Sequence, residues 1–499
     1  MALDSSHTNT SKTVCGQNSF VTIGGPGADH VRAGEFHAFT TVATTRRDGL
    51  VSELVSDYFK WENAYLFPTI DREAFLVQMT GRDTKYSSWC TPLLVNSICA
   101  HRSSLAGRFL DEAESRLRDE QGKISIPTAQ ALMLRYFTMA CMGRDRIGRA
   151  CRQQAIDIVR RLNLEAQYDS IAGASRAELA EKSRLSKALW GLFIVETRFA
   201  YFYLQPSQIT PPEIPHVFDR DEFNEPDRHG NIDVLGRPFE DSPCEVPLVA
   251  GIISHVCTLS ELFYEVMRYN SADENDRGDE RDINVRKAFY ARLRQFEENL
   301  PQQTSANHNP SPSTIYLRMH QNEVAFAIIQ NQRHEAPFEI SADEPGIIIK
   351  DLCARHCRSD VEMAKMFLSY WAFEPCLWRH LYLSLQPLSL MLDRSECRQL
   401  FTAASAMMRA GYSSFRICGN LLQATQAFAW TVNEEIPREA QPHYEGCKEN
   451  METQDLPLSF ALPRQDDAKE LLKDKSKCQK GGSFSEDDLG SLIQMWTLQ

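Results

Sequence analysis

The chain has 499 residues, 42% of them hydrophobic and 24% charged, so it is long enough to bury a large core and too apolar to be disordered throughout. Its net charge of −13 lacks the broad positive field on which non-specific nucleic-acid binding depends, which excludes DNA contact by the surface as a whole. The 14 cysteines are scattered, mostly inside apolar helical patterns, and no two are spaced C-x2-C, so they read as reduced core residues.

Residues 1–48 are rich in Ser, Thr and Gly, with Gly24-Gly25-Pro26-Gly27 breaking any regular element, and are expected to be a flexible arm. No basic and then apolar leader is found there, so an intracellular protein is expected and the sequon Asn9-Thr10-Ser11 is a chance match. From Leu50, apolar residues recur at helical spacing: Leu50, Val51, Leu54, Val55, Tyr58 and Phe59. Pro92 opens a helix through Cys99; a second follows from Leu105 towards Gly122; Pro127 opens a third, which Gly143 ends; Asp145 is placed to cap the next. Such short connections predict antiparallel neighbours in a bundle. The stretch from Ala188 to Leu204 is the most apolar in the chain, but Glu196 and Arg198 sit near its centre, which makes it a core helix with paired charges rather than a membrane span.

Residues 49–220 thus form a first helical unit, and 221–246 a proline-rich connection. Residues 247–435 form a second array, with helices expected at 247–263, 283–300, 313–334, 347–370, 374–384, 396–408 and 412–433. Ser359 with Glu362, and Asp393 with Glu396, have capping-box spacing. Residues 436–484 are polar and expected to be disordered; 485–499 form an acidic-hydrophobic segment in which Asp487 and Asp488 precede Leu489, Leu492, Ile493 and Trp496 at helical spacing. That segment serves either as an activation segment that folds on a coactivator or as a final helix docked on the body. No period-2 pattern extends over several strands, so the expected fold is all-α, a multi-helix bundle array with disordered N- and C-terminal segments.

No nucleophile elbow, phosphate loop or metalloprotease motif is present, so no catalytic residue is assigned. Cys353, His356 and Cys357 share one helical face and could meet a zinc ion, but a fourth ligand is missing and a buried apolar role is the better reading, so no metal site is assigned. Arg144, Arg146, Arg149 and Arg152 cluster at a helix start, where they either bind a phosphate-bearing effector or pair with Asp145, Asp157 or Glu196 inside the bundle.

Several runs, in order, resemble the middle regulatory region of fungal-specific transcription factors of the binuclear zinc-cluster family. They are Tyr58-Phe59-Lys60-Trp61-Glu62 to Phe67-Pro68-Thr69-Ile70-Asp71, then Phe75-Leu76; Pro92 to Ala100; Ile126 to Leu132; Gly143-Arg144-Asp145-Arg146 to Val159; and Leu189-Trp190-Gly191-Leu192-Phe193 with Glu196. Leu204-Gln205-Pro206-Ser207 and Pro211-Pro212-Glu213-Ile214-Pro215 look closest to the nitrate-assimilation regulators within that family. The resemblance covers about residues 50–220 well and the later helices loosely.

What it implies is a nuclear, non-enzymatic regulator of RNA polymerase II genes linked to nitrogen or related metabolism. Homo- or hetero-oligomers with related factors, and contacts to coactivators, are implied with it. Factors of this family read DNA through six cysteines that hold two zinc ions, and this chain offers only Cys15 before Cys90. DNA binding is therefore expected to be indirect or supplied by an upstream module, with zinc only in that module, the alternative being a cluster-less paralogue. A second function class, an intracellular all-α sensor or enzyme with its site between helices, would place that site at the Arg144 group.

Overall fold

The computed structural model describes residues 46–80, 89–102, 106–120, 122–203, 205–218, 249–272, 278–329, 337–338, 347–371, 375–432 and 434–446. Fifteen α-helices are present among them. The first eight are α1 Arg46–Trp61, α2 Arg72–Thr80, α3 Pro92–Arg102, α4 Ala106–Asp119, α5 Ile126–Cys141, α6 Asp145–Leu162, α7 Leu164–Ser170 and α8 Arg176–Phe202. The remainder are α9 Ile252–Asn270, α10 Glu280–Glu298, α11 Pro312–Ile329, α12 Ile349–Tyr370, α13 Pro375–Ser389, α14 Ser395–Gly411 and α15 Ile417–Thr431. Among the described residues there is no strand, only an isolated antiparallel bridge between Pro337 and Ile348. The chain is all-α. No helix among the described residues is long and apolar enough to cross a membrane.

Local chemistry sets most helix ends. Ser125 accepts from the Thr128 amide at 3.3 Å and starts α5, with a proline in its first turn. At its other end Gly143 takes φ 77°, a left-handed conformation that lets its amide reach the Ala140 carbonyl at 2.9 Å. Ser175 and Glu178 form a capping box at the head of α8, and Asp279 accepts from the Asp282 amide at 2.6 Å at the head of α10.

The caps expected elsewhere are not formed. α12 runs unbroken through Ser359, whose hydroxyl instead accepts from Arg318 and Asn322 of α11 at 3.2 and 3.0 Å. At α14 the cap position is Arg394, with no side-chain cap bond; Asp393 faces Lys350 at 3.5 Å and Glu396 pairs with Arg358. α6 begins at Asp145 itself, with Arg144 in the cap position making no side-chain cap bond. In each case a partner on a neighbouring helix outcompetes the local backbone for the polar side chain, or the helix starts a residue away from the sequence signal.

The buried apolar side chains form one continuous cluster from Val51 to Tyr444. It joins the early helices to the late ones through aromatic contacts: Tyr65 stacks on Tyr316 at 5.0 Å, Trp61 packs on Phe367 at 6.4 Å, Tyr201 on Phe263 at 5.1 Å and Phe202 on Trp378 at 5.5 Å. Residues 1–45, the whole of the 221–246 connection and the segment after 446 lie outside the described residues.

Candidate functional site

The runs that carry the family resemblance converge in space. Where α1 ends, the chain turns tightly on itself, with the amides of Leu66 and Phe67 both donating to the Glu62 carbonyl at 2.7 and 2.8 Å. Asn63 clamps the far side of this turn: its amide donates to the Ile70 carbonyl at 3.1 Å and its oxygen accepts from the Ile70 amide at 3.2 Å. Gln130 of α5 donates to the Thr69 carbonyl, and Lys187 of α8 donates to Asp71 at 2.8 Å. α8 reaches this turn so closely that a Cβ added at Gly191 would lie 2.3 Å from the Pro68 carbonyl oxygen. Only glycine permits that approach.

One residue along, Trp190 is buried and donates its indole N–H to the Ile214 carbonyl at 2.8 Å, while Ser186 donates to the Pro215 carbonyl at 2.7 Å. The proline-rich run thus lies along α8 by hydrogen bonds to its backbone. Glu62, fully buried, takes a charge-assisted bond from Arg102 at 2.6 Å and lies 3.5 Å from His101.

The Arg144 group splits in two. Arg152 points inward and grips Glu196 with two hydrogen bonds of 2.8 and 2.7 Å, and its guanidinium lies 5.1 Å from the Tyr203 ring centre. Burial works against the Arg152 charge, but the Glu196 hydrogen bonds and charge outweigh it and lift the guanidinium pKa above its usual value. Glu196 also accepts from the Gln208 amide at 3.2 Å, which ties the Ser207–Ile209 loop to the same pair. Arg144, Arg146 and Arg149 are exposed at the start of α6, with the Arg149 guanidinium also 5.8 Å from the Tyr203 ring centre. The four arginines do not converge on one point; three face solvent and one closes a buried ion pair.

The Cys353, His356 and Cys357 face belongs to a second interior network. His356 donates from Nδ1 to the Asn322 oxygen at 2.9 Å and accepts at Nε2 from the Tyr290 hydroxyl at 2.9 Å. Asn322 passes the chain on to Asp360 at 2.7 Å, whose other oxygen accepts from Ser384 at 3.0 Å. Burial, with Arg318 and Arg355 nearby, pushes His356 down to about 3, and burial pushes Asp360 up to about 8. Both imidazole nitrogens are occupied and the Cys357 thiol is driven well above its usual value by burial, so these groups link α10 to α13 and offer no lone pair to a metal. Among the described residues no group of three His, Cys, Asp or Glu could hold a metal ion, and every free cysteine there is buried. The zinc cluster that the resemblance implies for the family does not fit these cysteines.

A third cluster was not singled out from the sequence. Glu323 of α11 takes an ion pair from Arg379 of α13 and a bond from His320 at 3.0 Å, all three buried. Burial first, then the charges of Arg198 and Arg379, hold His320 and the neighbouring His380 neutral. Neither ring nitrogen of His380 has a hydrogen-bond partner among the described residues. The available signal was a polar run inside a buried helix: His320, Gln321, Asn322 and Glu323 precede the wholly apolar Val324–Ile329. These groups are sealed in the core, where they hold helices together.

At the surface, α4, α5 and α6 enclose a groove of about 430 Å³. Its lining mixes the apolar Leu117, Ile124, Leu132 and Ile158 with charges of both signs, Arg118, Lys123 and Arg161 beside Glu114, Glu120 and Asp157. The acidic-hydrophobic run from Asp487 and Asp488 through Leu489, Leu492 and Ile493 to Trp496 lies outside the described residues.

No protein-family model matches the chain, and no solved structure matches it. Over 179 residues, 34% of this chain, it is 33% identical to a notoamide biosynthesis transcriptional activator of Aspergillus versicolor. It is thus similar in part to a fungal transcriptional activator. The match spans 28% of that relative's length.

Proposed function

We propose that the chain is the helical regulatory body of a transcription regulator of RNA polymerase II genes, acting in the nucleus and not an enzyme. The observation that carries this reading is the 33% identity to a fungal transcriptional activator over 179 residues. The convergence of the family-like runs on α8 supports it: the turn at Pro68–Thr69, Gly191, Trp190 and the Ile214–Pro215 run form one frame through backbone hydrogen bonds and close packing. The resemblance to zinc-cluster middle regions extends the reading to genes of nitrogen or related metabolism and to pairing with related factors. With a net charge of −13, the helical body contributes regulation rather than DNA contact, which falls to an upstream zinc-bearing module or to a partner.

Activation is the sign we assign, since the relative is named an activator and residues 485–499 have the acidic-hydrophobic composition of a segment that folds on a coactivator. Fused to a heterologous DNA-binding domain, residues 480–499 should raise reporter output, and replacing Leu492, Ile493 and Trp496 by Ala should abolish the rise. A tagged full chain should accumulate in the nucleus. Equal output from the parent and triple-alanine fusions would remove the activation reading, and a chain that stays in the cytoplasm under all nitrogen sources would remove the regulator reading.

A further inference from the structure

We propose that the interior cluster between α8, α11 and α13 is a binding site for a small monovalent anion, of halide or formate size, held between Arg379 and His380. The site is independent of the regulator reading. Glu323 is already answered on both oxygens, Oε1 by Arg379 and Oε2 by His320 Nδ1 at 3.0 Å. Beside it, Arg379 Nε, His320 Nε2 and both ring nitrogens of His380 have no hydrogen-bond partner among the described residues. His380 and Glu323 are 0% exposed, His320 2% and Arg379 4%, so bulk water does not reach these atoms. Polar groups sealed in this way are costly unless something bonds to them.

The chemistry of the four atoms selects the ligand. An arginine Nε–H only donates, and a neutral His380 ring offers one further N–H, so the first requirement is an acceptor. Phe202 covers the face of the Arg379 guanidinium at 4.2 Å from its ring centre, which leaves the Nε edge for that acceptor. Negative charge is the second requirement. After burial, the charges of Arg198 and Arg379 are what hold both rings neutral, and burial followed by Arg198 works against the Arg379 charge itself. The other groups facing the cluster are phenols and an apolar ring. Tyr136 of α5 and Tyr201 of α8 lie near Arg379, Tyr316 approaches His380 at 6.3 Å between ring centres, and Phe263 of α9 meets His320 at 5.5 Å. A bound anion takes both N–H bonds and offsets the arginine charges, which water does not.

Burial limits the size and the charge. A dianion or a bulky acid would bring a desolvation penalty that the two donors do not repay. A negative charge beside His320 and His380 also raises their affinity for protons, so by linkage the anion binds more tightly as pH falls. The ion would bridge α8, which carries Trp190 and Gly191, to α11 and α13 of the later helices, tightening the seam between the two halves of the body.

The test is thermal unfolding of the full chain in sodium gluconate, with bromide, formate or sulfate exchanged in at constant ionic strength. Bromide or formate should raise the melting temperature along a saturating curve, by about 4 °C at a hundredfold excess over the Kd, more at pH 6 than at pH 8, while sulfate gives no saturating rise. A response to bromide alone assigns a halide and one to formate alone a small carboxylate; either supports the site. His380→Phe removes the donor and fills the space with a ring, so in gluconate it should melt no lower than the wild type, and the anion shift should vanish. If instead His380 is an orphaned core histidine, the variant gains the same stability in every salt and the wild type shows no saturating response, which overturns the proposal. Equal anion shifts in wild type and variant overturn it too. Equilibrium dialysis of the wild type against labelled bromide or formate needs no variant to fold: one ion retained per chain supports the site, and none retained overturns it.

Discussion

Replacing Gly191 by alanine sets two effects of known size against each other. In the middle of α8 the change should stabilise, since alanine exceeds glycine in helix propensity by about 1 kcal/mol. The new Cβ, however, would lie 2.3 Å from the Pro68 carbonyl oxygen, 2.6 Å from Thr69 Cα and 2.7 Å from the Pro68 carbonyl carbon. All three are backbone atoms, and relief requires α8 and the turn to separate by roughly 1 Å to regain ordinary contact. The turn is not free to yield, because Asn63 holds Ile70, Gln130 holds Thr69 and Lys187 holds Asp71. Overpacking of this kind costs about 1–3 kcal/mol, and each buried hydrogen bond given up to relieve it adds about 1–3 kcal/mol.

Taking the upper end of the first, one bond of the second and subtracting the propensity gain leaves a net loss of about 3–5 kcal/mol. For the roughly 330 described residues the unfolding entropy is about 0.7 kcal/mol/K, so the melting temperature should fall by about 4–7 °C. Gly419→Ala is the control: its Cβ would meet the ring of Tyr412 at 2.4 Å, a half-buried side chain that can turn aside, and the loss should stay within about 1 kcal/mol. Scanning calorimetry on the two purified variants decides the matter. If Gly191→Ala melts within a degree of the wild type, or Gly419→Ala is the worse of the two, the reasoning from close backbone approach is wrong.

Trp190→Ala should cost about 3–5 kcal/mol, because it empties a buried aromatic site and leaves the Ile214 carbonyl without its donor; denaturant midpoints indistinguishable from the wild type would refute that. Arg152→Ala and Glu196→Ala should each cost about 3–5 kcal/mol by stranding a buried charge, whereas Arg152→Met/Glu196→Leu should cost far less than their sum; simple additivity in the double-mutant cycle would show that the pair is not coupled. The interior titrating groups set a stability optimum. His356 is held down to about 3 from 6.5, so the folded state binds its proton less readily than the unfolded chain and stability falls as pH drops below about 6.5. Asp360 is raised from 3.8 to about 8, so the folded state binds its proton more readily and stability falls as pH climbs through the window up to about 8, by at most about 1.4 kcal/mol per unit. Between about pH 4 and 6.5 the His356 and Asp360 slopes cancel, and His320 and His380, which burial also holds neutral, tip the balance, so that melting temperature rises towards about pH 6.5 and falls from there to about pH 8. Asp360→Asn should flatten the alkaline side, and equal slopes for variant and wild type would remove Asp360 from the explanation.

Helical periodicity made the architecture legible, because a stripe such as Leu50, Leu54, Tyr58 must be buried by something, and short links left neighbouring helices as the only cover. Helix ends were less so: Ser359 and Asp393 have capping chemistry in sequence, yet Arg318, Asn322 and Lys350 compete for them from other helices, which no local pattern reveals. Glu196 lies in so apolar a run that the sequence alone demands a partner for it, and Arg152 is one of the arginines the sequence offers. What stayed hidden was direction, since spacing places Arg149 and Arg152 on nearby positions of α6 while burial separates them. Likewise, His356 sits on a shared face with two cysteines, and only the arrival of Tyr290 and Asn322 from other helices shows that both its nitrogens are already in use.

The stacking of Tyr65 on Tyr316 and of Trp61 on Phe367 bears on what broken alleles of this gene can do. A stop codon anywhere before α12 removes Phe367 and leaves the Trp61 face of α1 wet, and a start downstream of α1 does the reverse to α12. Neither remnant keeps the interior it was built around. Truncating lesions should therefore behave as simple losses, cleared by quality control, and recessive rather than interfering, whereas changes confined to the exposed α4–α6 face leave the fold intact and are where altered-function alleles should be sought.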